Sequence, residues 1–596
     1  MEPRRDLLRR MALGWLLALA ACGGDGAAPG GPRRVASDLA DALVAAEVRA
    51  GEAPALALGE LESDAVRPAV HRVGSARALA LPPGLWLDFH LAPPAGAELR
   101  ADALLPRGAA ALEVELAADG EAPRREALSP SSDGVRLLLP GARYLRLSLR
   151  VASGAEPLTL VNPRIEGPAG EAADEPRDAR PVPVLLYDID TLRADHLGCY
   201  GGEGGLTPHL DAFARDAVVF RAARASSSWT RPAVGSLFTG RYPPEHGATD
   251  GLQALPPAAE TLAELLGRAG YRTGAVVTNA NVSQRFGFQQ GFASFDYLRE
   301  DLSDPRVHQP ASLVHERALA FLRAGPAATP VFLYVHPCDP HGPYAPPDDE
   351  RERFAAGVAA PEVGSFENLR ALNRGEVEVT ASLTDDLRAL YAAEVAYTDA
   401  QFGALVAGLR ELGLYDRMLL VVTADHGEEF GEHGRFEHGK TLYEEQLRVP
   451  LIVKLPGARA GGTERGVAEH VDVLPTVLGE LGLALPRGVA GRDLFGPGAE
   501  RERTQLAFLD HDGHRVRSVV RGDDKLLHTP DEEPAWRLFD LAADPGETRD
   551  LAAERPVAAG YLRAALRARM AALAPPAAES VELDPEMEAT LRSLGY

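Results

Sequence analysis

The chain has 596 residues, a formal net charge of −24, 45% hydrophobic residues and 25% charged residues. That length exceeds a single hydrophobic core and predicts two or three domains of ordinary globular composition. The acidic balance and the lack of a basic stripe exclude non-specific nucleic-acid binding, and three cysteines (Cys22, Cys199, Cys338) do not make a disulfide framework.

The N-terminus opens with Arg4, Arg5, Arg9 and Arg10, then an apolar run from Met11 to Ala21 that is too short to span a bilayer. The run ends in Leu19-Ala20-Ala21-Cys22, followed by Gly23-Gly24-Asp25. This resembles a bacterial lipoprotein signal. The resemblance implies removal of residues 1–21, lipidation of Cys22, and an exported protein held in the cell envelope (periplasm or outer membrane) by that lipid alone. A plain signal peptide is the alternative, and Arg4-Arg5-Asp6-Leu7-Leu8-Arg9 is similar to a twin-arginine export signal. Residues 22–34 then read as a flexible tether.

From 35 to 170 short alternating runs recur: Leu85 to Leu91, Ala111 to Leu116, Val135 to Leu139, Tyr144 to Val151 and Leu158 to Val161. Strands at this spacing predict a β-sandwich-like accessory domain. Trp86, Phe89 and Tyr144 are its candidates for stacking on a sugar, with a place in the core as the alternative. Glu166 to Arg180, rich in Glu, Asp, Pro and Gly, reads as a linker.

A second domain is expected over 181–500. An apolar strand, Pro183 to Tyr187, runs into Asp188-Ile189-Asp190-Thr191. Asp190, nearest the strand end, is the expected metal ligand, and Asp188 is a weaker candidate on the same face. Thr207 to Ala217 is helix-like. The run Ser228-Trp229-Thr230-Arg231-Pro232 to Thr239-Gly240 places a hydroxyl and an early proline at the start of a helix, where free amides and the dipole favour an anion. As a lone N-cap, Thr230 would be unremarkable. The strand Val331 to His336 leads into Asp339-Pro340-His341. Asp348 to Arg353 reads as a solvated loop, and Thr384 to Leu412 as a long helix capped by Thr384, with Leu387, Leu390, Tyr391, Val395, Phe402, Leu405 and Leu409 near helical spacing.

The most informative stretch is Val421 to Lys440. A buried strand, Met418 to Val422, delivers Asp425-His426-Gly427-Glu428 to its C-terminal end, where ligand and catalytic groups collect in open α/β sheets. An Asp-His pair suits a hard or borderline divalent cation, and a lysine such as Lys440 suits a bound oxyanion. His433 and His438 lie in the same loop.

Together Asp190 with its strand, the Thr230-x-Pro to Thr239-Gly240 segment, Asp425-His426-Gly427 and Lys440 resemble the sulfatase family of the alkaline phosphatase superfamily. The likeness runs from about residue 181 to the C-terminus. Residues 501–596, with Leu538-Phe539-Asp540-Leu541 and Asp544-Pro545-Gly546-Glu547-Thr548, are similar to the small C-terminal subdomain of that family. The fold implied is α/β: a mixed, mainly parallel sheet sandwiched by helices, with a small C-terminal antiparallel subdomain, preceded by the β-sandwich-like domain.

The resemblance also implies the chemistry. One divalent cation, most often calcium, with manganese or zinc as alternatives, is held by Asp190, Thr230, Asp425 and His426. Lys440 contacts the ester oxyanion, and His341 or His438 protonates the leaving oxygen. The substrate is a sulfated or phosphorylated glycan or lipid. Four departures accompany it. The family's second acidic residue is Thr191 here, its arginine four residues after the nucleophile is Val234, its Lys-x-His is Thr278-Asn279-Ala280, and the Cys or Ser that becomes formylglycine is Thr230. The last leads to the expectation that no formylglycine is used. Two other readings stand beside sulfate-ester hydrolysis. One is a phosphodiester or phosphonate monoester hydrolase, or a phosphoethanolamine-type transferase, with Thr230 as direct nucleophile. The other is a non-catalytic, glycan-binding surface lipoprotein. Insertions at Gln289 to Pro310 and Ala355 to Glu378 are the expected sources of specificity. His246, His433 and Asp339 are candidates for a second metal site, or for surrounding groups.

Overall fold

The computed structural model describes residues 33–49, 56–57, 68–73, 76–105, 111–129, 134–152, 157–168, 181–202, 205–299, 309–325, 329–573, 580–583 and 585–593. The expected signal segment 1–21, Cys22, most of the expected tether and most of the expected linker lie outside these residues. So does part of the Gln289 to Pro310 insertion. The chain forms two compact units. One comprises residues 1–172 and 552–572, the other residues 173–551 and 573–596.

The larger unit is built on an eight-stranded sheet. Its strands are β1 (Val184–Ile189), β2 (Val218–Arg224), β3 (Arg272–Val277), β4 (Ser294–Tyr297), β5 (Val331–His336), β6 (Leu419–Ala424), β7 (Leu451–Lys454) and β8 (Thr463–Glu469). They lie in the order β4-β3-β5-β1-β6-β7-β2-β8. All neighbours are parallel except β7, which runs antiparallel to both β6 and β2. The sheet is therefore mixed and mainly parallel, as the sequence implied.

The central strands are mostly apolar because both sheet faces are covered, with Asp188, His336 and Thr423 near their C-terminal ends. Every residue of β1, β5 and β6 is buried. Leu185, Tyr187 and Ile189 join Leu333, Val335, Leu420 and Val422 in a core with Leu387, Leu390, Tyr391 and Phe402 of the long helix. The alternate residues Val184, Leu186, Phe332, Tyr334, Leu419 and Val421 pack with Val234, Leu237 and Phe238 of the helix after β2. One β-strand period thus feeds two helix layers. Gln505–His511, His514–Arg521, Asp524–His528 and Trp536–Asp540 make a four-stranded antiparallel meander in the same unit.

Three local expectations change. The long helix spans Ala381–Glu411 and is capped by Thr380, whose side chain accepts from the Leu383 N–H; Thr384 lies inside the first turns. Asp348–Phe354 is a short helix rather than a loop, with Asp348, Asp349 and Glu350 in its first turn and Arg351 and Arg353 in its last, which complements the helix dipole. The insertion at Ala355 to Glu378 carries a helix of its own, Phe366–Asn373, capped by Ser365.

The smaller unit contains antiparallel sheets of four, six and four strands. Trp86, Phe89 and Tyr144 are buried in it, so they serve packing rather than an exposed sugar platform. The C-terminal stretch 501–596 does not stay together as one subdomain, because helix Pro556–Ala572 belongs to this unit. Its sequence explains why. Val557, Ala558, Leu562 and Leu566 form a buried stripe. Asp119 accepts the Val557 and Ala558 N–H groups at 2.9 and 2.8 Å. Buried Glu47 binds Arg563 and Arg567, each at 2.8 Å. Among the described residues no helix is long and apolar enough to cross a membrane.

Burial alone would raise the pKa of Glu47, but His90, Arg563 and Arg567 outweigh it and hold the carboxyl down at about 2. The unfolded chain regains the ordinary value of 4.5. The stabilisation is therefore complete above pH 4.5 and is lost as pH falls toward 2. Glu47→Gln should remove this acid-dependent component. It should also lower the stability of the unit by about 3 kcal/mol, the low end for removing one partner of a buried pair. Urea unfolding at pH 7 and pH 3 checks both; an unchanged midpoint at pH 7 would contradict the role.

Candidate active site

The parallel register brings the C-terminal ends of several strands together. Tyr187 pairs with Val335, and Ile189 with Ala424. The step after each strand therefore places Asp190 of β1 beside Asp425 of β6, with Asp188 level with His336. β3 ends one residue before Thr278-Asn279, and β2 leads to the helix Thr230–Thr239.

Thr230 is the first residue of that helix. Trp229 is its N-cap, in extended conformation, and makes no side-chain capping bond. Thr230 is thus not a capping hydroxyl. Pro232 falls in the first turn, where its missing N–H costs nothing, and Gly240 at φ 64° ends the helix. The buried Thr230 Oγ1 lies 3.3 Å from His426 Nε2 and accepts from Asn279 Nδ2 at 3.4 Å.

Asp190, Asp425, His426 and His336 are all fully buried. Asp425 Oδ1 accepts the Thr191 N–H at 3.1 Å and the His426 N–H at 2.9 Å. Asp425 Oδ2 has no hydrogen-bond partner and sits 3.3 Å from His426 Nε2. Asp190 Oδ2 accepts from Asn279 Nδ2 at 2.6 Å and from Cys338 Sγ at 3.5 Å. Asp190 Oδ1 also has no hydrogen-bond partner and is 3.8 Å from His426 Nε2. The two unpaired carboxylate oxygens, the imidazole and Thr230 Oγ1 face one another. Buried carboxylate oxygens left this way are costly, and a divalent cation is the group that satisfies them. The donor set fits that cation.

The electrostatics agree. Burial raises Asp190, yet the imidazoles of His341, His336 and His426 hold its carboxyl well below the usual range. Burial, Asp190 and Asp188 push Asp425 well above it. Two adjacent carboxylates cannot both ionise without a counter-charge. Burial lowers His426 to about 4, which leaves the neutral imidazole a ligand needs.

A second tier consists of histidines. The His426 and His438 ring centroids are 4.3 Å apart, and those of His438 and His341 are 4.9 Å apart. His438 Nδ1 is 2.9 Å from Glu428 Oε1. Burial, His426 and His341 drive the His438 pKa well below its usual value, while burial and Glu437 drive Glu428 well above. His341 Nδ1 donates to the Gly342 carbonyl at 2.7 Å. Gly427 lets the backbone at Glu445 approach closely, since a Cβ would sit 2.0 Å from the Glu445 carbonyl oxygen.

The structure therefore gathers Asp190, Thr230, Asp425, His426, His438 and His341. Lys440 stands at the margin. Its Nζ donates to the Phe436 carbonyl at 3.2 Å and to Glu437 at 3.3 Å, and Asn373 of the Ala355 to Glu378 insertion holds the same Glu437 at 2.8 Å. The candidates for a second metal site have other work. Asp339 accepts the Ala311 N–H at the start of a helix, His246 faces the Pro232 carbonyl, and His433 stacks on Tyr443. Sequence reasoning missed His336 and Glu428 and read Asn279 only as a loss. His336 ends, and Glu428 follows, a strand already located in the sequence, which is the signal that could have found them; the strand before Asn279 is absent from the sequence reading.

The sulfatase family model matches residues 184–483, half of the chain. The "N-sulphoglucosamine sulphohydrolase, C-terminal" model matches residues 431–574. The chain is 22% identical over 489 residues to an N-acetylglucosamine-6-O-sulfatase of Bacteroides thetaiotaomicron, covering 67% of this chain and 87% of that protein. It is 26% identical over 415 residues to an ulvan-active sulfatase of Formosa agariphila, covering 64% and 78%. Its fold matches a phosphonate monoester hydrolase of Agrobacterium radiobacter with a TM-score of 0.55 at 22% identity, covering 66% and 96%. These matches overturn one expectation. Sulfatases use formylglycine as a catalytic group with a divalent metal, so the expected absence of formylglycine conflicts with the relatives of this chain. The residue encoded at the head of the helix is Thr230, with a methyl group and a hydroxyl on Cβ, which does not match that group. With half its length matched by the family model, the chain belongs to the sulfatase family of sulfuric ester hydrolases.

Proposed function

We propose that this chain hydrolyses sulfate esters on an acidic glycan outside the cytoplasm, with one divalent cation held by Asp190, Asp425, His426 and Thr230. The observation that carries the reading is the pair of buried, unpaired oxygens, Asp190 Oδ1 and Asp425 Oδ2, converging with Thr230 at the strand ends. A bound cation would polarise the ester oxygen and stabilise the developing charge. Thr230, at a helix N-terminus, acts as nucleophile or orients one. Asn279 fixes the Thr230 hydroxyl against Asp190. His341 donates the proton to the leaving oxygen, because His438 is held neutral and paired to Glu428. Lys440 meets the oxyanion by exchanging its contact with Glu437 for the substrate. The glycan is supported by the names of the relatives, which act on N-acetylglucosamine and ulvan.

A second reading is hydrolysis of phosphonate monoesters or phosphodiesters. The fold likeness to a phosphonate monoester hydrolase and the hydroxyl of Thr230 favour it. Export and anchoring through Cys22 rest on the Leu19-Ala20-Ala21-Cys22 segment alone.

Asp425→Asn should lose the bound cation and lower kcat/KM for a sulfate ester by at least about 10³-fold, several kcal/mol of transition-state stabilisation. Metal analysis beside an assay of aryl sulfate, glycan sulfate and phosphonate monoester checks this. Retained metal and retained sulfate turnover would sink the reading, and preference for the phosphonate would select the second one. His341→Ala should slow hydrolysis of an alkyl sulfate by about 10²-fold or more, the usual worth of a general acid, and an aryl sulfate with a good leaving group far less. Equal losses on both would remove His341 from that role. Cys22→Ser should release the protein from the membrane fraction of the producing bacterium; continued membrane association would contradict the lipid anchor.

A further inference from the structure

We propose that His336 is a direct ligand of the cation and that its imidazole turns the site toward a zinc-type ion rather than calcium. This rests on the reading that Asp190 and Asp425 hold a cation.

His336 ends β5, one residue beyond the pairing of Val335 with Tyr187, so the sheet itself places it beside Asp188 and next to Asp190. It is fully buried. One ligand atom each from Asp190, His336 and Asp425 lies within 4.8 Å of the others. His336 Nε2 is 3.4 Å from Asp190 Oδ2, yet it makes no hydrogen bond. The other ring nitrogen is the anchored one. Nδ1 lies 3.2 Å from the Tyr334 hydroxyl and 3.5 Å from Asp188 Oδ2, and Tyr334 donates to that same oxygen at 2.9 Å. A carboxylate on one ring nitrogen, with the other aimed at further carboxylates, is the arrangement that orients a metal-bound histidine.

The segment after Asp190 offers no second carboxylate of its own. Residue 191 is threonine, at φ 53°, with its N–H turned to Asp425 Oδ1. His336 fills that need from the neighbouring strand. A purely ionic role, an imidazolium lodged between Asp188 and Asp190, would serve those two groups. It would leave Asp190 Oδ1 and Asp425 Oδ2 unpaired. A shared cation addresses all of them. Two imidazoles, His336 and His426, beside two carboxylates suit zinc, whereas calcium takes an all-oxygen shell.

The test uses the mature full-length protein, stripped of metal and titrated with zinc or calcium against a chromophoric chelator, with bound metal counted by plasma emission. Wild type should bind one ion and prefer zinc. His336→Ala should weaken zinc by more than the about 10- to 100-fold that loss of an outer partner costs, while Asp188→Asn should fall within that range. Calcium binding should change far less. Unchanged zinc affinity in His336→Ala would overturn the proposal. Wild type loaded with manganese and examined by pulsed EPR needs no variant: nitrogen couplings from two bound imidazoles are expected, and couplings from one would overturn it. Asp425→Asn separates the two claims, because wild-type affinity there would sink the cation site as a whole rather than the part of His336.

Discussion

Two carboxylates buried side by side, with no lysine or arginine between them, constrain everything around this site. Asp190 and Asp425 lie at the ends of adjacent parallel strands and are closed off from water. In a protein interior, like charges at this separation cannot both persist unless something positive lies between them. The surroundings show the strain of that demand. Asp190 is held ionised by imidazoles, and Asp425 is pushed toward its protonated form. The remaining oxygens have no hydrogen-bond partner. A divalent cation would resolve the conflict in one step, and the residues that would hold it are set by the fold rather than by a surface loop.

The second consequence concerns protons. Three imidazoles, those of His341, His426 and His438, stand in a row leading away from Thr230. They cannot all be charged in one buried site beside a cation. His426 and His438 are the ones driven neutral, and Glu428 on His438 is driven toward its protonated form. This division leaves His426 as a neutral donor and His438 with Glu428 as a positioned neutral pair. Lys440 and Glu437, the latter held by Asn373 of the Ala355 to Glu378 insertion, stand at the margin of these groups.

Much of this was legible in the chain. The apolar runs of β1, β5 and β6 are buried on both faces, so their sequence reads as continuous hydrophobic strands and their ends announce Asp190, His341 and Asp425. The hydroxyl of Thr230 and the early proline Pro232 mark the helix start. What the sequence hid depends on strand register. The closeness of His336 to Asp190, and of Asn279 to both Asp190 and Thr230, arises between strands far apart in the chain. Helix Pro556–Ala572 was misplaced for a similar reason. Its partners, Glu47 and Asp119, lie more than 400 residues earlier in the chain, and its own apolar stripe does not say which core receives it. The start of the long helix moved because Thr380 and Thr384 are equally good caps by composition, and it is the Thr380 side chain that accepts the Leu383 N–H. The expectation about formylglycine failed differently, since it came from one residue type at one position and was overturned by the relatives of the whole domain.

The most direct test of the account is a crystal structure of the metal-loaded protein with anomalous data collected across the absorption edge of the bound ion. The account predicts a single strong peak enclosed by Asp190, Asp425 and His426 and within reach of Thr230. An empty position there, with the two carboxylates sharing a proton in protein that hydrolyses sulfate esters, would contradict it.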